Sequence, residues 1–403
     1  MRIHTLPNEF LQAIPVITAI EEAGFEAYFV GGSVRDIMLD YQIHDVDIAT
    51  SAFPEEIKHI FPKTIDVGIE HGTVLVLHEE EQYEITTFTT ESTYQDYRRP
   101  GQVTFVRSLE EDLKRRDFTM NALAMNKEGE IIDLFNGIEA IKQRKIVAVG
   151  KASERFHEDA LRMMRGLRFS SQLGFEIESK TKQAIEEHHP LLEKISVERI
   201  YVEWTKLLLG DYRNKGLSTF IETKCFEYCP GLNQESEALR ELLKLSESHR
   251  FETEEIAWTI LCYYLKMKNV STLLKKWKTS NKMAHRVQHN LEQLIKRETT
   301  DWNAWDLYQS GLDTIQDVEF IRGVLFDQQP DETILQAYGQ LPIKNMKELA
   351  ITGKEILKTL ETTPGPWMGQ LLTFLERKVV EGVFSNQEAF LLNEAIKWKE
   401  EHE

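Results

Sequence analysis

Two spacings of apolar residues divide this chain. Over the first 150 residues, apolar runs of strand length alternate with polar breaks; beyond them apolar positions recur at helical spacing to the end. Ala27-Tyr28-Phe29-Val30 reads as a short strand, followed by Gly31-Gly32 and a helix opening at Ser33. Residues 73–78 (TVLVLH) are apolar and β-branched at successive positions, which predicts a strand buried on both faces. Residues 83–88 (YEITTF) predict a second strand, with 79–82 as a charged hairpin turn, and 122–125 and 130–133 predict further strand pairing. In the helical part, Ser196 stands where an N-cap belongs and Gly210 where a C′ residue belongs, bounding VERIYVEWTKLLL. Long Leu/Glu/Lys-rich stretches with few Pro or Gly follow, without a fixed-period repeat. The pattern predicts a mixed α/β head, a helical connector and two further helical segments.

Length sharpens that division: 403 residues exceed what one compact core holds, so two to four domains are expected. Hydrophobic residues at 41% and charged residues at 28% are the proportions of a soluble globular protein. No apolar run approaches the roughly 20 residues that cross a bilayer, which predicts no membrane span. Met1-Arg2-Ile3-His4-Thr5-Leu6-Pro7 lacks an apolar signal core, so export is not expected. Cys225, Cys229 and Cys262 are odd in number and fit no zinc spacing; they read as apolar fillers of a reduced, cytoplasmic protein. The formal charge of −18 argues against general affinity for nucleic acid, which rests on Lys and Arg neutralising phosphates. Any RNA contact therefore needs a local basic surface on an acidic body.

Against that background a few charged residues stand out. In Asp45-Val46-Asp47 an extended backbone puts both carboxylates on one face, roughly 6–7 Å apart. Such a pair can share Mg²⁺, which prefers oxygen ligands, and two metals can activate a hydroxyl and stabilise a leaving diphosphate. Alone, Asp-x-Asp is more commonly a solvated turn. Twelve residues earlier, Gly31-Gly32-Ser33-Val34-Arg35-Asp36 follows a strand and opens a helix. Its glycines let backbone N–H groups approach a phosphate, and Arg35 adds a guanidinium fork; it is no Walker loop, because no Gly-Lys-Ser/Thr follows. Glu84 lies within an apolar, Thr-rich strand, either as a third metal-site carboxylate or as a solvent-facing residue.

Arg115-Arg116-Asp117 can grip phosphates and accept from a ribose hydroxyl, or form a charged surface corner. Glu158-Asp159-Ala160-Leu161-Arg162 predicts a helix running through Arg165 and Arg168, with Asp159 and Arg162 neighbours on one face. An acceptor beside a donor matches cytosine and adenine, each with an exocyclic amino group beside a ring-nitrogen acceptor, and mismatches guanine and uracil. A Glu158–Arg162 helix salt bridge is the plainer reading. Residues 93–103 (TYQDYRRPGQV) form a polar, aromatic and basic loop, mobile near the site or simply exposed.

In this order and spacing the motifs, which span residues 20–210, resemble the class II tRNA nucleotidyltransferases, the CCA-adding enzymes, whose head is shared with bacterial poly(A) polymerases. The resemblance implies an α+β protein: an N-terminal α/β nucleotidyltransferase head with a small mixed β-sheet, then all-α neck, body and tail. The corresponding segments are residues 1–150, 151–220, 221–300 and 301–403. It implies Mg²⁺ held by Asp45 and Asp47 with Glu84 as a third carboxylate, and Gly32 and Arg35 on the incoming triphosphate. Arg116 would contact the nucleotide and Asp117 its sugar. Asp159 and Arg162 would template C and then A, Arg165 and Arg168 would support the phosphates, and the loop around 96–99 would help the switch from CTP to ATP. The implied partners are tRNA, CTP and ATP, and relatives of this type often pair, which extends the expectation to a homodimer. Alternatives are a bacterial poly(A) polymerase, an A-adding tRNA nucleotidyltransferase and, from another class, an RNA-binding scaffold with an inactive head.

Overall fold

A computed structural model describes residues 1–68, 72–91, 94–95, 99–100, 103–327 and 331–402. The chain forms two compact units, residues 1–251 with 276–278, and residues 252–275 with 279–403. No helix among the described residues is long and apolar enough to cross a membrane.

The first unit is built on a mixed sheet. Helix α1 (Asn8–Glu22) precedes strand β1 (Ala27–Val30), helix α2 (Gly32–Met38), strand β2 (Asp47–Thr50) and helix α3 (Pro54–Ile60). Strands β3 (Thr64–Gly68), β4 (Thr73–His78) and β5 (Glu81–Thr87) form a meander, and Leu123–Met125 and Ile131–Asp133 complete seven strands. Their spatial order is Ile131–Asp133, Leu123–Met125, β1, β2, β5, β4, β3. Among the described residues of this sheet, β2 and β5 alone run parallel, because the excursion through α3, β3 and β4 returns the chain to β2's other edge.

On α1, Phe10, Ala13, Val16, Ile17 and Ile20 are fully buried at helical spacing against this sheet, and Phe10 meets Phe29 of β1 edge-on at 4.9 Å. Phe10, Val16, Ile17 and Ile20 each contribute about 1.5–3 kcal/mol through burial. The expectation that β4 is buried on both faces is corrected. Val74 and Val76 are fully buried, whereas Thr73, Leu75 and Leu77 are only partly covered, because β4 lies antiparallel between β3 and β5 with one face on the core. The hairpin turn is Glu79-Glu80 alone, since His78 already pairs with Glu81.

Helices α4 (Leu109–Lys114), α5 (Gly137–Lys142), α6 (Ala152–Glu158), α7 (Leu161–Leu173), α8 (Ser179–His188), α9 (Val197–Leu208) and α10 (Arg213–Glu222) follow. Ser196 occupies the N-cap position of α9 without a capping hydrogen bond from its side chain, and Gly210 lies just past Leu209 at its end. Helices α7, α9 and α10 pack closely. A Cβ on Gly216 would fall 2.6 Å from the Leu167 carbonyl oxygen, so only glycine admits that approach.

In the second unit, Leu307, Ile315, Ile356, Leu371, Leu375, Leu391 and Trp398 share one core. The Ala304–Phe326 helix is interrupted at Gly311 (φ +73°). Arg297 is buried against Asp306 at 2.8 Å and over the Trp302 ring at 4.4 Å. The three cysteines are buried and free, and burial pushes the Cys225 and Cys262 thiols up to about 12, which keeps them inert near neutrality.

Candidate active site

Sheet register assembles the acidic residues. Asp47 opens β2 and pairs with Val30 of β1; on β2's other side Ile48 is level with Ile85 of β5, which sets Asp47 level with Glu84. Asp45 lies one residue before Val46, outside the strand, yet the alternation persists: Val46 is buried while Asp45 and Asp47 are exposed. Asp45, Asp47 and Glu84 all line a cleft of about 340 Å³, together with His44. Glu84 is solvent-facing rather than buried, and it sits on an interior strand of the sheet rather than an edge. Of its two expected surroundings the exposed one is found, without removing it from the acidic cleft.

Asp47 also lines a second cavity, of about 630 Å³, bounded by Gly31, Gly32, Arg35, Arg116, Asp117, Asp159, Arg162, Arg165 and Arg168. Asp47 thus stands where the acidic cleft meets an arginine-lined chamber. Although it keeps an open face, the protein around Asp47 raises its carboxyl pKa; Arg116 opposes the rise and Glu84 and Asp45 add to it. A divalent cation would relieve this crowding of like charges. Among the described residues no three His, Cys, Asp or Glu side chains form a closed metal cluster. The carboxylate oxygens of Asp45, Asp47 and Glu84 on the cleft wall are hard donors of the kind a divalent cation takes.

Gly31 has φ +72°, and a Cβ there would fall 3.1 Å from Arg116 Nη1 and 3.8 Å from Asp47 Oδ2, so its two constraints coincide. Gly32 opens α2 on the cavity wall. The Arg35 guanidinium is already held: Nε and Nη2 donate to Asp36 at 2.8 and 3.0 Å, and Nη1 donates to Asn121 at 2.7 Å. Arg116 Nη2 donates to Asp112 at 3.1 Å, and its Nε is buried without a partner.

Asp112, absent from the sequence expectations, organises this corner. It is 1% exposed, and accepts from Thr89 N and from Arg115 Nε and Nη2 as well as from Arg116. Burial alone would raise its pKa; the charges of Arg115 and Arg116 prevail and hold it below its ordinary value. Asp117 is buried too. Oδ1 accepts from Phe118 N and Asn121 Nδ2, and Oδ2 from Arg165 Nε at 2.7 Å, with Arg165 Nη2 in ionic contact at 2.6 Å. Burial pushes its carboxyl up, but Arg165 and Asn121 outweigh that and its pKa is lowered. Its acceptor sites are taken up within the protein in this conformation.

The expected continuous helix through Asp159 is corrected. α6 ends at Glu158 and α7 begins at Leu161, leaving Asp159 in extended backbone (φ −139°, ψ 104°). The reason is local: Asp159 Oδ1 accepts from Leu161 N at 3.1 Å, a side-chain substitute for a helical bond that favours a junction. Asp159 and Arg162 therefore face the same cavity without pairing along one helix. Arg162 Nη1 donates to Glu158 at 2.6 Å, the plainer salt bridge of the sequence, and Nη2 to the Arg115 carbonyl at 2.8 Å. Asp159 Oδ2 accepts from Arg199 Nη2 at 2.6 Å, and Arg199 lines the cavity as well. Arg168 Nε lies 2.8 Å from Glu203 Oε2, in ionic contact but misaligned for a hydrogen bond. The loop side chains expected at 96–99 lie outside the described residues.

Sequence reasoning thus missed Asp112, Asn121, Arg199 and Glu203. The signal available for Asp112 was helical spacing, three and four residues before Arg115 and Arg116. For Arg199 and Glu203, 35 or more residues from their partners, the sequence offered none.

Comparison with known families places the head first. The Poly A polymerase head domain matches residues 27–147, the probable RNA and SrmB-binding site of polymerase A matches 174–235, and the putative tRNA nucleotidyltransferase domain 2 matches 249–395. The class is therefore that of the nucleotidyltransferases. The CCA-adding enzyme of Enterococcus faecalis is 54% identical over 405 residues, covering 100% of both chains. That of Streptococcus pneumoniae is 49% identical, covering 96% of this chain and 97% of its own. On these similarities the chain belongs to the family of CCA-adding enzymes. The crystal structure of the Bacillus stearothermophilus CCA-adding enzyme in complex with CTP matches with a TM-score of 0.91 at 41% identity, covering 98% of this chain and 99% of that one. The Thermotoga maritima CCA-adding enzyme complexed with tRNA, at 20% identity, 98% and 96% coverage and a TM-score of 0.62, shares the fold.

Proposed function

We propose that this chain adds CCA to the 3′ end of tRNA from CTP and ATP without a nucleic-acid template, releasing diphosphate. The observation that carries the reading is the meeting at Asp47 of a carboxylate-lined cleft and an arginine-lined chamber. Family membership supplies the substrates.

The cation in this reading is Mg²⁺, held by Asp45 and Asp47 with Glu84 alongside; bound there, it would polarise the reacting phosphate and lower the pKa of the attacking 3′ hydroxyl. Gly32, Arg35, Arg165 and Arg168 receive the triphosphate in the chamber, with the glycine backbone close and the guanidinium groups supplying charge. Arg116 meets the nucleotide, fixed by Asp112. Asp117 holds Arg165 and, where a ribose hydroxyl displaces one of its partners, accepts from the sugar. Asp159 accepts from the exocyclic amino group of C or A while Arg162 donates to the adjacent ring nitrogen. Arg199 and Glu158 orient that pair.

Residues 1–150 act as head, 151–220 as neck, 221–300 as body and 301–403 as tail, the helical parts carrying tRNA. The enzyme works in the cytoplasm, and as a homodimer. The test replaces Asp45 or Asp47 by Ala and follows extension of a tRNA ending before CCA. Each variant is expected to keep the wild-type melting temperature and lose transfer; normal turnover by either would remove its carboxylate from the metal site.

A further inference from the structure

Three of the cavity's arginines share a support that the reading above leaves without a task. The ring of Phe169 on α7 carries Arg168 at 4.1 Å, Arg35 at 5.3 Å and Arg165 at 5.6 Å from its centroid. Elsewhere the three are anchored separately, Arg35 to Asp36 and Asn121, Arg165 to Asp117, and Arg168 to Glu203. Phe169 is what they have in common.

The arrangement answers an electrostatic problem. Three guanidinium charges converge on one end of a cavity and repel one another; burial presses the Arg168 pKa down, and Arg165 and Arg35 add to that pressure against Glu203. An aromatic face carries partial negative charge and attracts a guanidinium within about 6 Å, most strongly where water is excluded. The ring cannot swing away: Phe169 is 7% exposed and packs edge-on against Phe118 at 6.0 Å.

We propose that Phe169 is a positioning residue for nucleotide binding, the common platform that holds Arg35, Arg165 and Arg168 at the spacing a triphosphate needs. This rests on the nucleotidyltransferase reading of the cavity. Phe169 touches no substrate in this account and acts through the arginines, so base choice should not depend on it.

The test compares the wild type with Phe169→Leu, which keeps apolar bulk but no aromatic face, and with a ring-trifluorinated phenylalanine at 169, which keeps shape and weakens the face. Two quantities are read: steady-state KM and kcat for CTP and ATP on tRNA lacking CCA, and binding of inorganic triphosphate by titration calorimetry. The expected result is a rise in KM of roughly tenfold for both nucleotides, matched by weaker triphosphate binding. The fluorinated protein should follow Phe169→Leu, with preference for C and A over U and G unchanged. A purely structural ring would leave the fluorinated protein like the wild type, and unchanged triphosphate binding there overturns the proposal even if Phe169→Leu misfolds. Calorimetry needs no turnover, so a wild type that fails to extend tRNA would sink the functional reading while still testing Phe169.

Discussion

At the scale of single residues, the arginines of the site are held by buried carboxylates. Asp112 is the plainest case, since its two oxygens fix Arg115, Arg116 and the Thr89 backbone. Asp112→Ala leaves two guanidinium groups without their buried partner, and a loss of about 3–5 kcal/mol in chemical denaturation is expected. A loss below about 1 kcal/mol would mean the arginines find partners elsewhere. Asp112 and Asp117 also set an acid response. Both are held below the ordinary value of 3.8, so their stabilisation is in place above that pH and is lost as pH falls through the folded values. Asp117→Asn should flatten the decline of melting temperature below pH 4, and an unchanged slope would contradict this. For Asp159→Ala and Arg162→Ala the readout is base choice. Misincorporation of U and G should rise in both, because one half of the donor–acceptor pair is gone; unaltered selectivity would end the template assignment while sparing the metal site.

At the scale of elements, the turn between β1 and α2 is constrained twice at one glycine. Gly31→Ala must place a side chain at φ +72° and against Arg116. A destabilisation of about 1–3 kcal/mol is expected from the backbone alone, with a raised KM for both nucleotides as Arg116 shifts. A variant with wild-type stability and KM would show that the turn relaxes freely. Much of this framework was legible in the sequence. Ala27–Val30 and Thr73–His78 announce themselves by short apolar runs, and the Asp45/Asp47 pair by alternation with Val46. What resisted was set by neighbours. Whether β4 is covered on one face or two depends on what packs above it, and residues 73–78 alone carry no record of that. The break at Asp159 lacks Pro or Gly; it arises from one side-chain bond to Leu161 and an ion pair with Arg199, forty positions on. Arg35–Asn121 spans 86 positions and left no local trace.

At the scale of the whole molecule, a protein of net charge −18 that handles tRNA must confine its phosphate contacts to a limited surface. A contact neutralising about five phosphates would give a slope near −4 when the logarithm of tRNA affinity is plotted against that of salt. A slope near zero would mean that recognition does not rest on phosphates.

One chamber beside one acidic cleft is expected to accept C twice and A once. The most direct measurement gives the purified protein Mg²⁺ and a tRNA lacking its terminal CCA, with each labelled nucleoside triphosphate alone and then all together. Two additions from CTP, one further addition from ATP, and then arrest are expected. Long A tracts would identify a poly(A) polymerase, and no incorporation would leave an RNA-binding scaffold; either outcome would rule out CCA addition by this chain.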